Sequence, residues 1–216
     1  MKIKICFLLM FLIFLFNTFS FAGDDLQNWN GFSLKKKINE KVDFIWIPAF
    51  RLRDNISELF YWESNQGLSF KINKHLDVAT QYRFNNTQKI NNSWIKEQRF
   101  ELQPTVKWKL GGLKFSDRNR IAYRIIDGKE KWRYRNRIKF EKAIKIKNKE
   151  ISPFISNEFF YDFNQNKYNQ NRFSVGFSKK ISNNTGFDIY YMYRSDKKGE
   201  DWPGANIIGT AFKISL

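Results

Sequence analysis

From Lys131 to Lys147 the chain sorts most of its side chains by parity. Trp132, Tyr134, Ile138, Phe140, Ile144 and Ile146 share one parity, and Lys131, Arg133, Arg135, Arg137, Lys139, Glu141, Lys145 and Lys147 share the other. Successive side chains of a strand point to opposite faces, so this run is a ribbon with one aromatic, apolar face and one densely charged face. A helix would scatter both classes around its circumference. The run is also much longer than the common strand of about five or six residues. Long amphipathic strands behind a secretory leader are what a transmembrane β-barrel requires.

Such a leader is legible. Met1, Lys2 and Lys4 form a basic start, Ile5 to Phe16 an apolar stretch, and Ser20-Phe21-Ala22 the small residues that a signal peptidase reads. Residues 1–22 are therefore expected to be a cleaved signal peptide and 23–216 a single barrel domain. The apolar stretch falls short of the roughly twenty residues of a spanning helix, and none follows it, which excludes a helical membrane protein. Cys6 is the one cysteine. It lacks the setting of a lipid-attachment cysteine, and its loss with the leader leaves neither a disulfide framework nor a thiolate metal site.

The formal charge of +17 raises nucleic acid as a partner. Export argues against it, as does the distribution of the charge, which is spread strand by strand along one parity. The partners expected instead are outer-membrane lipid and lipopolysaccharide on the apolar side, with no nucleic acid.

Eleven alternating runs can be counted, punctuated by turn residues such as Asn73-Lys74, Gly111-Gly112, Asp127-Gly128 and Asn183-Asn184. The first, around Trp29 to Lys35, is the weakest; ten follow from Val42 onward. Bacterial barrels of this kind are expected to have an even strand number, so the expectation is an antiparallel up-and-down barrel of about 10–12 strands. Asn85 to Asn92, Asn164 to Asn171 and Ser195 to Gly204 read as longer polar loops at one end, opposite short turns that would face the periplasm.

Alternation alone does not say which face is inside. A soluble, secreted, lipocalin-like barrel would bury the apolar face around an apolar ligand. Against this, the chain closes on Gly209, Phe212, Ile214 and Leu216, similar to the terminal strand by which the barrel-assembly machinery takes up its substrates. Trp62, Trp94, Trp108, Trp132, Tyr193 and Trp202 sit near strand ends, as interfacial girdles do.

A family resemblance rests on a succession of short motifs. Trp29 after the leader, Arg51-Leu52-Arg53, Tyr82-Arg83, Gln98-Arg99-Phe100, the Arg118/Arg120 pair, Tyr134-Arg135-Asn136-Arg137, Glu158-Phe159-Phe160, Asn171-Arg172-Phe173 with Gly176, and Tyr191-Met192-Tyr193 resemble the bacterial proteins grouped as domain of unknown function 2490. The likeness spans nearly the whole mature chain. It implies an outer-membrane β-barrel and carries no catalytic assignment.

In a membrane the charged parity must line the lumen, because a lysine or arginine on the lipid face near the midplane costs about 2–4 kcal/mol. Arg99, Glu101, Arg120, Arg124, Arg133, Arg135, Arg137, Glu141, Glu158 and Arg172 are the candidate lumen network, with Glu63, Glu97 and Lys107 beside them. Such a network either holds the barrel together or forms a narrow, anion-favouring path. A lipid-modifying enzyme is the remaining class. Its proton relay would need a histidine, and the single one, His75, lies beside a turn with Asp77 on its own strand and parity but no serine or second acid suggested at the opposite rim. Neither a metal nor any other cofactor is expected; Asp24-Asp25 and Glu200-Asp201 are isolated acidic pairs.

Overall fold

The computed structural model describes residues 25–146 and 149–216. The leader reading, with Cys6, falls outside them. The chain forms β1 (Leu26–Lys37), β2 (Val42–Arg53), β3 (Glu58–Lys71), β4 (Leu76–Gln88), β5 (Trp94–Leu110), β6 (Leu113–Ile126), β7 (Lys129–Lys142), β8 (Ile144–Ile146), β9 (Lys149–Asp162), β10 (Lys167–Lys180), β11 (Thr185–Asp196) and β12 (Gly204–Ser215).

The short β8 prolongs β7. Ile144 pairs with Ile151 in the register that already joins Glu141 to Phe154, with Ala143 marking the break. Eleven strands therefore make the wall, each antiparallel to its sequence neighbour, and the sheet closes where β1 meets β12. That closure is parallel, running from Leu26 opposite Asn206 to Lys35 opposite Ser215. The all-β barrel class is the one expected from sequence, but its seam is not antiparallel and its strand number is odd. An odd count makes the first and last strands of an up-and-down wall point the same way. The weak first run is thus a full strand, held by ladders on both sides.

The polar loops also differ from expectation. Asn85 and Asn86 pair with Glu97 and Lys96 inside the β4–β5 ladder, and Gln170 and Asn171 pair with β9 and β11. The loops shrink to residues 89–93, 163–166 and 197–203, so the asymmetry between the two ends is smaller than expected, with 197–203 the longest connection among the described residues. Backbone pairing offers these amides what a loop would have sought from water, and context overrides their low strand propensity. Proline leaves a local mark: the β5–β6 ladder skips Gln103 and Pro104, where Pro104 has no N–H to give.

Burial is inverted relative to a soluble protein. The most enclosed side chains include Asp43, Glu101, Arg120 and Glu158, whereas Phe100, Leu102, Trp132 and Ile189 are among the most exposed. Rings line up across strands on the outer face, Tyr82 on Phe100 at 5.2 Å, Tyr123 on Trp132 at 5.1 Å and Phe32 on Phe212 at 6.1 Å between centroids. Trp62, Trp94, Trp132 and Trp202 gather toward the end that carries the loops after β2, β4, β6 and β11, all partly exposed; Trp108 sits at the other end.

Candidate functional site

Strand parity carries the charged side chains of β4, β5, β6, β7, β9 and β10 inward, where they fall into groups around shared carboxylates. Glu101 of β5 takes Arg83 at 3.1 Å and Arg120 at 3.2 Å. Arg83 reaches on to Glu63 of β3 at 2.8 Å, and Arg120 donates its Nε to the Gln103 side chain at 2.9 Å. Glu97 is held by Arg99 at 2.6 Å and by Arg124. Glu158 of β9 gathers Arg118 at 2.6 Å, Arg135 at 2.9 Å and Arg172 at 3.8 Å, drawing on three other strands. Arg133 lies 3.5 Å from Asp162.

All ten candidate residues therefore face the interior, though not as one unit. Glu141 stands apart near the short-turn end, between Lys139 at 2.8 Å and Lys114 at 3.2 Å. Arg137 has no carboxylate within 4 Å among the described residues, and its Nε is buried without a hydrogen-bond partner. His75 is exposed at its turn, with Nδ1 3.0 Å from the Lys107 carbonyl oxygen.

Sequence reasoning missed the aromatic half of the interior. Trp29 of β1, Tyr61 of β3 and Phe160 of β9 point inward and are almost wholly enclosed, with Ile207 of β12. The Arg51 guanidinium lies between two of these rings, 3.9 Å from the Trp29 centroid and 3.8 Å from that of Tyr61. Arg172 stands 4.9 Å from Trp29 and 4.5 Å from Phe160, whose ring also carries Arg135 at 4.5 Å. Tyr61, Arg51, Trp29, Arg172, Phe160 and Arg135 thus alternate ring with guanidinium along a line from β3 to β7. Because β11 and β12 separate β1 from β10 in the wall, this line cuts across the lumen. The Trp29 indole N–H donates to Gln27 Oε1 at 2.9 Å, fixing the ring. Each ring–cation contact is worth about 0.5–2 kcal/mol, more when desolvated. Parity was the available signal: Trp29 alternates with Phe32 and Leu34, and Phe160 lies between Glu158 and Asp162.

Charge in this middle layer does not balance. Arg51, Arg83, Arg99, Arg118, Arg120, Arg124, Arg133, Arg135, Arg137, Arg172 and Arg194 make eleven guanidinium groups, against the six carboxylates Glu63, Glu97, Glu101, Glu158, Asp162 and Asp196. Glu97, Glu101 and Glu158 are consequently shared, which fixes several arginines at once, while Arg51 is held between rings. What such an arrangement does chemically is brace opposite walls and present positive potential.

Comparison with known proteins agrees with this architecture. The β domain of the Bordetella autotransporter BrkA has the same fold at a TM-score of 0.53 and 8% identity, over 83% of this chain and 86% of that one. At that identity the likeness concerns the fold alone. No curated protein matches the chain. A family model described as protein of unknown function DUF2490 matches residues 26–204, from the first strand to the start of the last. The chain belongs to the DUF2490 family.

Proposed function

We propose that this chain is an exported outer-membrane barrel whose lumen is braced across its middle, with a structural or binding role at the envelope. The observation that carries the reading is the inverted burial: large apolar and aromatic side chains outside, arginine and glutamate inside. In water that outer face would be an exposed apolar patch far larger than soluble monomers tolerate, whereas in lipid it is the solvated face. The closed ladder answers the other demand of a bilayer, that no backbone group be left unpaired. A lipocalin-like container for an apolar ligand fits poorly, since its interior would be apolar. The leader supplies export on this reading, lipid and lipopolysaccharide surround the wall, and β12 is the segment offered to the assembly machinery.

Cell fractionation followed by electrophoresis of unheated and boiled samples tests it. The mature chain should sediment with outer membranes, resist extraction by high salt, and migrate differently once boiled. Release by salt together with identical migration would defeat the proposal.

A second reading, a narrow anion path, is favoured by the arginine surplus. In a planar bilayer the braced lumen should show little conductance, and any current should prefer anions. Steady, anion-selective channels in the wild-type protein would replace the braced reading with the second.

A further inference from the structure

We propose that the lumen mouth at the short-turn end is a binding site for a multiply charged, phosphate-bearing solute. A cavity of about 750 Å³ opens there, beyond the ring–guanidinium line. Lys107, Lys114, Arg118, Arg137 and Lys139 line it, with Glu141 as the one carboxylate in its wall. The β5–β6 hairpin builds one side. It runs past the end of β4, where Leu76 pairs with Val106, and carries Lys107 to Lys114 out around Gly111-Gly112.

The cations of this mouth are under-compensated. Glu141 is divided between Lys114 and Lys139. Asp77 neutralises Lys107 from outside the cavity wall. Glu158 meets Arg118 but already holds Arg135 and Arg172. That leaves Arg137, opposite Glu158 in the β7–β9 ladder, beyond 4 Å of any carboxylate among the described residues, competing for a Glu158 that three other arginines already hold, and with a buried, unpartnered Nε. A guanidinium so placed costs free energy unless an acceptor from outside satisfies it.

The chemistry of the wall selects the ligand class. A guanidinium fork flanked by ammonium groups matches a phosphate, which offers several acceptor oxygens and about two charges. The volume is that of a drug-sized site, larger than one inorganic phosphate needs. Gln103, Thr105 and Ser116 add neutral hydrogen-bonding groups for the remainder of such a molecule. The mouth opens from the lumen and its charged groups lie on the inward parity, so a soluble phosphate compound reaches them directly.

The proposal does not depend on the location of the barrel or on its conductance, because the test uses protein refolded in detergent. Inorganic triphosphate is titrated by calorimetry at low salt. One saturable site is expected, and Arg137→Gln should weaken it about tenfold or more, the loss of one charge-assisted contact. Arg53→Gln, at the opposite end against Glu58, should leave it unchanged. Should Arg137→Gln fail to show the boiled-versus-unboiled shift, Lys109→Gln on the exposed hairpin supplies the comparison. Short-chain phosphatidic acid in the same detergent forms the second arm. Failure to displace triphosphate supports the soluble ligand proposed; full displacement at equal concentration overturns that assignment in favour of a lipid head group. Absence of saturable binding, or equal affinity in the Arg137 and Arg53 variants, overturns the site altogether.

Discussion

Thr210 donates its hydroxyl proton to the Asn30 side-chain oxygen at 2.6 Å, across a seam whose two strands run in the same direction. The contact exists because eleven strands, not ten or twelve, complete the wall. In a chain begun after Ala22 no cysteine competes, so Asn30→Cys with Thr210→Cys should oxidise to a disulfide in the folded barrel. Asn30→Cys with Ile214→Cys, four residues further along β12, should stay reduced, since paired cysteines need Cα atoms within about 7 Å. Electrophoresis with and without reductant reads the result, and a wall closed in another register would leave the Asn30→Cys, Thr210→Cys pair unlinked.

Glu158 and Glu101 each hold more than one arginine away from water, and removing either leaves buried cations without a counter-charge. Glu158→Ala and Glu101→Ala should each destabilise the folded barrel by as much as about 3–5 kcal/mol, and by less where water enters the lumen. Glu200→Ala removes the same charge from an exposed loop residue and should change stability by well under 1 kcal/mol. Urea unfolding in lipid vesicles measures all three. Equal midpoints would mean that the interior is wet and its charges do not hold the wall.

Trp29 is the central plate of the ring–guanidinium line. Trp29→Ala should cost about 3–5 kcal/mol, as large-to-small changes of enclosed aromatics do, and should raise conductance in a planar bilayer by opening the middle layer. Arg51→Lys keeps the charge but not the flat face that Trp29 and Tyr61 hold between them. It should cost about 1 kcal/mol without opening the lumen.

Gly209 lies under the Tyr190 ring, where an added Cβ would overlap the ring itself. Gly209→Ala should displace Tyr190 and destabilise the β11–β12 pair by about 1–3 kcal/mol, the usual penalty of overpacking. Gly186→Ala, where the nearest atom to an added Cβ is 3.5 Å away, should be close to neutral. Refolding yield and urea midpoint compare the two, and equal values would show that the ring moves freely.

Where one face of a strand is uniformly apolar, parity alone told which side each residue takes, and Arg99, Arg120, Arg135 and Glu158 could be placed facing one space. Trp29, Tyr61 and Phe160 were not legible in the same way. An aromatic residue on the charged parity breaks the two-class pattern, and its value appears only when strands distant in sequence bring an arginine over its ring. The asparagine-rich stretches failed for a related reason. Asn85 looks like a loop residue by propensity, yet it is fully enclosed and paired opposite Glu97. The parallel seam was hidden because strand count depends on the faint first run, whose alternation is diluted by Asn28, Asn30 and Gly31.

The seam also settles a matter of sidedness. Asp25 lies beside Asn206 at one rim, and Leu216 exchanges backbone hydrogen bonds with Lys35 and Lys37 at the other. Ten reversals join eleven strands, so the chain enters β1 at one rim and leaves β12 at the other. In the membrane proposed for it, peptide tags joined ahead of Asp25 and behind Leu216 would therefore be held in different compartments, making the barrel a rivet through that layer.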